Sequence, residues 1–132
     1  MGYTGSALAA LDSGLPRRSH IFVSSIPDLY QLWAIYHTRS TAQFVWDVAD
    51  ICQSLLAPDR TDEQRNQVRE RNIAFTSAAA GVREVLPCKF YGNAVFGYQF
   101  TPNDVSTLDY FHPSLRGQAA LADITWAASW WR

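Results

Sequence analysis

No apolar stretch in this chain approaches the ~20 residues that crossing a bilayer requires. Its opening, Met1-Gly2-Tyr3, lacks the charged start and long apolar core of a signal peptide. As written, the chain therefore reads as cytoplasmic. Neither sign of charge dominates: a net charge of -1 and a pI of about 6.2 leave no broad field to attract nucleic acid or anionic lipid. Internal repeats and low-complexity linkers are missing too. With 132 residues, 48% of them hydrophobic and 17% charged, the expectation is one globular domain spanning 1–132. Neither His20 nor His37 has a second histidine at ligand spacing, so no metal site is expected, and nothing calls for a cofactor. Cysteine is scarce. Cys52 and Cys88, if joined, would close a loop worth about 3.8 kcal/mol on the chain-entropy model. Composition alone does not choose between that bridge and two reduced thiols.

What is present reads as alternating elements. Residues 3–13 have helical composition, stopped by Gly14 and Pro16. Residues 20–26 read as a buried strand ended by Pro27. A loop over 28–40 carries Tyr30, Trp33, Tyr36 and His37, and a helix over 41–56 lines up Phe44, Val48, Ile51, Cys52 and Leu55. Thr61 and Gln64 match a capping box and predict a helix whose inward face is Val68, Asn72, Phe75, Ala79 and Val82. Arg60, Arg65, Arg69 and Arg71 are interleaved with Asp59, Asp62, Glu63 and Glu70, the pattern of a solvated helix face. Residues 88–100, broken by Gly92 and Gly97, read as short strands and turns. Pro113 opens a helix over 114–130, docked by Leu121, Ile124 and Trp126 or Trp130. Strands separated by helices need crossovers, which predicts an α/β fold with a small, mostly parallel sheet flanked by helices. Such a sheet leaves an open edge.

The stretch richest in chemistry is Asp109-Tyr110-Phe111-His112-Pro113-Ser114. A histidine base needs its tautomer fixed, and a carboxylate three residues earlier can hold one ring nitrogen while the other faces a hydroxyl. The run from Thr107 to Ser114, with Gly117-Gln118 and Leu121-Ala122 behind it, resembles the last block of the SGNH/GDSL hydrolases, in particular secreted lipases and esterases of actinobacterial type. Val23-Ser24-Ser25-Ile26-Pro27-Asp28-Leu29-Tyr30 and Val68-Arg69-x-Arg71-Asn72 are similar to earlier segments of that family. The likeness covers most of residues 15–131. It implies the C-terminal part of a three-layer α/β/α, flavodoxin-like fold, with Asp109 and His112 as acid and base of a catalytic triad. The implied substrates are lipids, short acyl esters or acetylated sugars. It also tilts Cys52 and Cys88 towards a disulfide in an oxidising compartment, since secreted relatives use them.

The departure from the family is as informative. No Gly-Asp-Ser block supplies a nucleophile, and no Gly-x-Asn-Asp block helps form an oxyanion hole. Ser13, in Leu11-Asp12-Ser13-Gly14, follows helical residues rather than a strand, and Pro102-Asn103-Asp104 lacks the glycine. A triad deprived of its serine alone keeps about 10³–10⁴-fold catalysis through the oxyanion hole and binding. With those donors missing too, the chain is expected to be an inactive or very feeble hydrolase, the later half of an enzyme whose earlier half lies elsewhere. Tyr30 and Trp33, with Tyr36, are candidates to line a substrate pocket, because their loop leaves the strand end where α/β sheets bind ligands; plain packing is the other reading. Ser24 and Ser25 read as local hydrogen-bonding groups. Trp126, Trp130 and Trp131 read as packing rather than a lipid-contact patch. The alternative function is a non-enzymatic interaction module, or a half-domain completed by a homo-oligomer or by a partner chain covering the sheet edge.

Overall fold

The computed structural model describes residues 3–16, 19–80, 88–90 and 93–131. Among them helices α1 (Tyr3–Gly14), α2 (Tyr30–Tyr36), α3 (Ser40–Val48), α4 (Gln53–Leu56), α5 (Asp62–Ala80) and α6 (Leu115–Ala128) carry the architecture. Strands β1 (Ile21–Val23) and β2 (Cys88–Phe90) pair in parallel, with Ile21 opposite Cys88, Phe22 opposite Lys89 and Val23 opposite Phe90. Three residues per strand do not make a layer. The expected α/β fold, with a parallel sheet between helices, is therefore corrected: the described fold is mostly helical. The β-rich composition of 20–26 yields only β1, and from 93 to 97 the chain turns rather than extending. Val82 and Gly92 lie outside the described residues.

The expected loop over 28–40 is largely helix. Asp28 starts it: its carboxylate accepts from the Tyr30 N–H at 3.2 Å and its carbonyl from the Gln31 N–H at 3.1 Å. Leu32 and Tyr36 then bury one face. Aromatic residues are indifferent helix formers, so packing rather than propensity decides here.

The single helix expected over 41–56 breaks after Val48. Asp50 and Cys52 adopt left-handed φ of 51° and 44°, and the chain restarts as α4. The break rotates the apolar stripe. Phe44 and Val48, expected in the core, are 68% and 67% exposed, while Ala42 and Trp46 face inward. The core joins Leu32, Tyr36, Ala42, Trp46, Leu55 and Leu56 to Val105 and Tyr110 from the C-terminal part of the chain. Full burial of each large apolar side chain contributes roughly 1.5–3 kcal/mol.

Helix α5 starts as expected. The Thr61 hydroxyl accepts from the Gln64 N–H at 3.2 Å, and the Gln64 side chain accepts from the Thr61 N–H at 3.0 Å. Its inward face differs. Arg65 and Thr76 are buried, Val68 and Asn72 half-buried, and Phe75 is exposed.

The solvated arginine face is thus corrected at Arg65, which is 2% exposed. Arg65 Nε donates to the Leu55 carbonyl at 3.0 Å, Nη2 to Ala57 at 2.8 Å, and Nη1 to the Arg60 carbonyl. Its guanidinium lies 3.5 Å from the centre of the Trp33 ring. A buried charge is tolerable only when its donors are matched, and these carbonyls match them. Arg69 also turns inward, to the buried Asp28 at 2.8 Å.

Ser114 caps α6, its hydroxyl accepting from the Gly117 N–H at 3.2 Å. Pro113 therefore lies just before the cap, bridged to Val105, rather than inside the first turn. Leu121 and Ile124 are half-buried. Trp126 and Trp131 are largely exposed, which corrects the expected docking of Trp126 to the core, while Trp130 is 42% exposed with its ring against His20 at 5.3 Å.

The rotated stripe gives a direct test. Trp46→Ala should lower unfolding free energy by about 3–5 kcal/mol. Phe44→Ala should stay within about 0.5 kcal/mol of the parent. Urea unfolding of both variants checks this; comparable losses would return Phe44 to the core.

Candidate active site

The corner between residues 98 and 117 is built on Asp104, which has no exposed surface. Thr101 opens a 3-10 turn, Pro102–Asp104, and donates to Asp104 Oδ2 from its N–H at 2.9 Å and its hydroxyl at 2.7 Å. Arg116 Nε stands 3.1 Å from Oδ1, a charge contact without the alignment of a hydrogen bond. The Thr101 hydroxyl, its N–H, Arg116 and the Tyr98 hydroxyl together outweigh burial and hold this carboxyl below the usual carboxylate range.

The Asp104 carbonyl reaches the other way and accepts from the Ser114 N–H at 2.9 Å. A Cβ on residue 117 would lie 2.1 Å from that carbonyl oxygen, so only glycine lets α6 start here.

Between Val105 and Pro113, which bridge in antiparallel fashion, the chain makes a tight excursion. The Ser106 N–H donates to the His112 carbonyl at 2.8 Å, and the Tyr110 N–H to the Ser106 carbonyl at 2.9 Å. Tyr110 takes a left-handed φ of 56°. For a bulky residue this costs about 1–3 kcal/mol and persists only where its surroundings dictate it. They do: the Tyr110 ring packs edge-on against Tyr36 at 5.3 Å, and its carbonyl accepts from Trp46 Nε1 at 3.3 Å.

That corner brings Asp109 and His112 together. Asp109 Oδ1 accepts the N–H groups of Phe111 at 2.9 Å and His112 at 3.0 Å, and Oδ2 lies 2.7 Å from His112 Nδ1. Burial alone would raise the Asp109 pKa. The bonds from the His112 ring and the two N–H groups overcome it, so the carboxyl is held below its ordinary value. An ionised acid at Nδ1 assigns the proton to that nitrogen and leaves the Nε2 lone pair outward on a ring 72% exposed. The arrangement can accept a proton at Nε2 and steady the resulting imidazolium. Among the described residues no hydroxyl hydrogen-bonds to this ring. Ser114 is committed to the Asn103 carbonyl at 2.7 Å, and Ser13 to Ala10 within α1 at 3.0 Å.

Tyr30 and Trp33 share α2 and pack around the core. Trp33 lies against Arg65 and also stacks on His37 at 5.2 Å, while Tyr30 faces the Arg69 guanidinium at 5.9 Å. Neither touches Asp109 or His112 through any described hydrogen bond or ring contact. The Ser25 hydroxyl accepts from the Phe96 N–H at 3.0 Å, and that of Ser24 donates to the Ser25 carbonyl at 3.2 Å. Cys52 is a free, half-buried thiol; the side chain of Cys88 lies outside the described set.

Asp104 is the supporting residue that sequence reading passed over. Its signal was present, because Thr101-Pro102-x-Asp104 has the shape of a capped turn with proline at its first position. Among the described residues no group of His, Cys, Asp and Glu could hold a metal ion, and no helix is long and apolar enough to cross a membrane. The chain matches no protein-family model, no curated protein and no solved structure.

Two outcomes follow from this geometry. Gly117→Ala must push the start of α6 off the Asp104 carbonyl and should cost about 1–3 kcal/mol or more. Urea unfolding measures it, and a neutral result would mean that the corner yields freely. Asp104 and Asp109 both have folded pKa values below their unfolded ones. Their stabilisation is complete above the unfolded value and is lost as pH falls through the depressed folded values. Thermal midpoints should therefore fall below about pH 4, and fall less steeply for Asp104→Asn. An unchanged slope would place the acid sensitivity elsewhere.

Proposed function

We propose that this chain carries the acid–base portion of a serine ester hydrolase of SGNH/GDSL type. His112 is the general base and then the general acid, and Asp109 is its positioning partner. The observation that supports the reading best is the 2.7 Å contact between Asp109 Oδ2 and His112 Nδ1, with Nε2 left open to solvent. The resemblance of residues 107–122 to that family's last block is the second support. In the complete reaction a serine oxygen attacks an ester carbonyl while its proton passes to His112 Nε2. The imidazolium then protonates the departing alcohol, and water, activated by the same nitrogen, releases the acid from the acyl-enzyme. The serine and the oxyanion donors come from outside the described residues. Lipids, short acyl esters and acetylated sugars are the substrate classes in keeping with the resemblance.

A second reading, an interaction module or half-domain, draws on the apolar groove that Phe22, Leu121, Ala122, Trp126 and Trp131 form beside β1. A clean monomer by light scattering at high concentration would count against it.

The hydrolase reading is tested on the chain as it stands with p-nitrophenyl acetate and a fluorophosphonate probe. Turnover of the activated ester should be feeble, and His112→Ala should reduce it to the buffer rate. Asp109→Asn should lower it by at least about tenfold through loss of the correct tautomer. No serine of this chain should take the probe. Turnover indifferent to His112, or a labelled serine, would sink the proposed division of labour.

A further inference from the structure

A cleft of about 160 Å³ lies between α4 and the first half of α5, away from the Asp109–His112 corner. Ser54, Arg60, Gln64, Gln67, Val68 and Arg71 line it. Positions 64, 67, 68 and 71 fall on one stripe of α5, while Arg60 enters from the preceding turn and Ser54 from α4. Every polar group in this lining except the Gln64 and Ser54 side-chain oxygens is purely a donor or an amide that can turn its NH₂ inward.

Those donors are uncommitted. Arg60 Nε is buried without a hydrogen-bond partner; its counter-charge, Asp59 Oδ1, stands off at 3.5 Å. Gln64 spends its oxygen on the Thr61 N–H, which leaves its NH₂ free. The Ser54 hydroxyl, the Gln67 amide and the Arg71 guanidinium have no hydrogen bond or ion pair among the described residues. Burying a guanidinium N–H unpaired is costly, so an acceptor placed at Arg60 Nε is favoured.

The charge is right for an anion. Two guanidiniums face the space and no carboxylate lines it. Of the acids nearby, Asp59 pairs with Arg60 at 3.5 Å without lining the cleft, Asp62 is 3.8 Å from Arg65, and Glu63 and Glu70 sit one position around the helix. The volume is below the ~300–1,000 Å³ of drug-sized sites, which restricts the ligand to a small group. Two guanidiniums and three neutral donors offer more hydrogen bonds than the two oxygens of a carboxylate can take up. A tetrahedral oxyanion, with three or four oxygens, uses them better.

We propose that this cleft is a binding site for a phosphate group, held by Arg60 and Arg71 and oriented by Ser54, Gln64 and Gln67. The group is either free phosphate or the phosphoryl end of a small monoester.

The full chain, labelled with ¹⁵N, is titrated with inorganic phosphate and separately with glycerol 3-phosphate. Ionic strength is fixed with chloride, above about pH 7 where the phosphate monoester carries close to two charges. Saturable shifts are expected at the side-chain NH₂ groups of Gln64 and Gln67 and at Arg60 Nε–H, with a Kd in the millimolar range. Tighter binding of the monoester identifies the phosphoryl end of a larger molecule as the ligand, and tighter binding of phosphate identifies the free ion. Arg71→Gln, on an exposed and unpaired side chain, should weaken binding about tenfold or more, and Gln67→Leu should weaken it less. The absence of saturation for both probes up to about 50 mM, equal affinity in Arg71→Gln, or shifts centred on Arg116 would each overturn the assignment.

Discussion

The Asp104 peptide is the point at which the helical body and the candidate site are fixed to each other. Its side chain ties down the turn that begins at Thr101, and its carbonyl receives the first turn of α6 through Ser114. Gly117 makes the approach possible, because any side chain there would collide with that oxygen. With both ends of the excursion from Val105 to Pro113 pinned, the few residues between have little freedom, and a left-handed Tyr110 is the way they close. This closure brings Asp109 and His112 face to face, and the 2.7 Å bond between them adds to it.

The same tyrosine couples the site to the core. Its ring packs edge-on against Tyr36 within the buried cluster that also holds Trp46, Leu55 and Leu56, so strain in the backbone is balanced by apolar burial at the side chain. An exposed His112 and a half-buried Asp109 thus borrow rigidity from buried helices remote in sequence.

How much could be read from the chain beforehand varied with the kind of signal. Local chemistry was legible: the Thr61–Gln64 box sits at the start of α5, and the three-residue spacing of Asp109 and His112 anticipated their contact. Periodicity misled where the backbone broke its own rhythm. Phe44, Val48, Ile51, Cys52 and Leu55 form one stripe only on an uninterrupted helix, and the left-handed residues 50 and 52 interrupt it. β-Branched residues at 20–26 promised a sheet, but three paired residues suffice for the local burial they achieve. Arg65 was hidden for another reason: in sequence it is one more arginine among acids, and only tertiary structure shows carbonyls waiting for it.

Helix α4 is four residues long, too short to persist unaided. The guanidinium of Arg65 occupies the carbonyls at and beyond its end while lying on the Trp33 ring of α2. One side chain of a third helix therefore completes the hydrogen bonding of the second and roofs the first. The three segments are coupled through that one side chain, and a lysine, with a single point of charge, could not match both carbonyls and the ring at once.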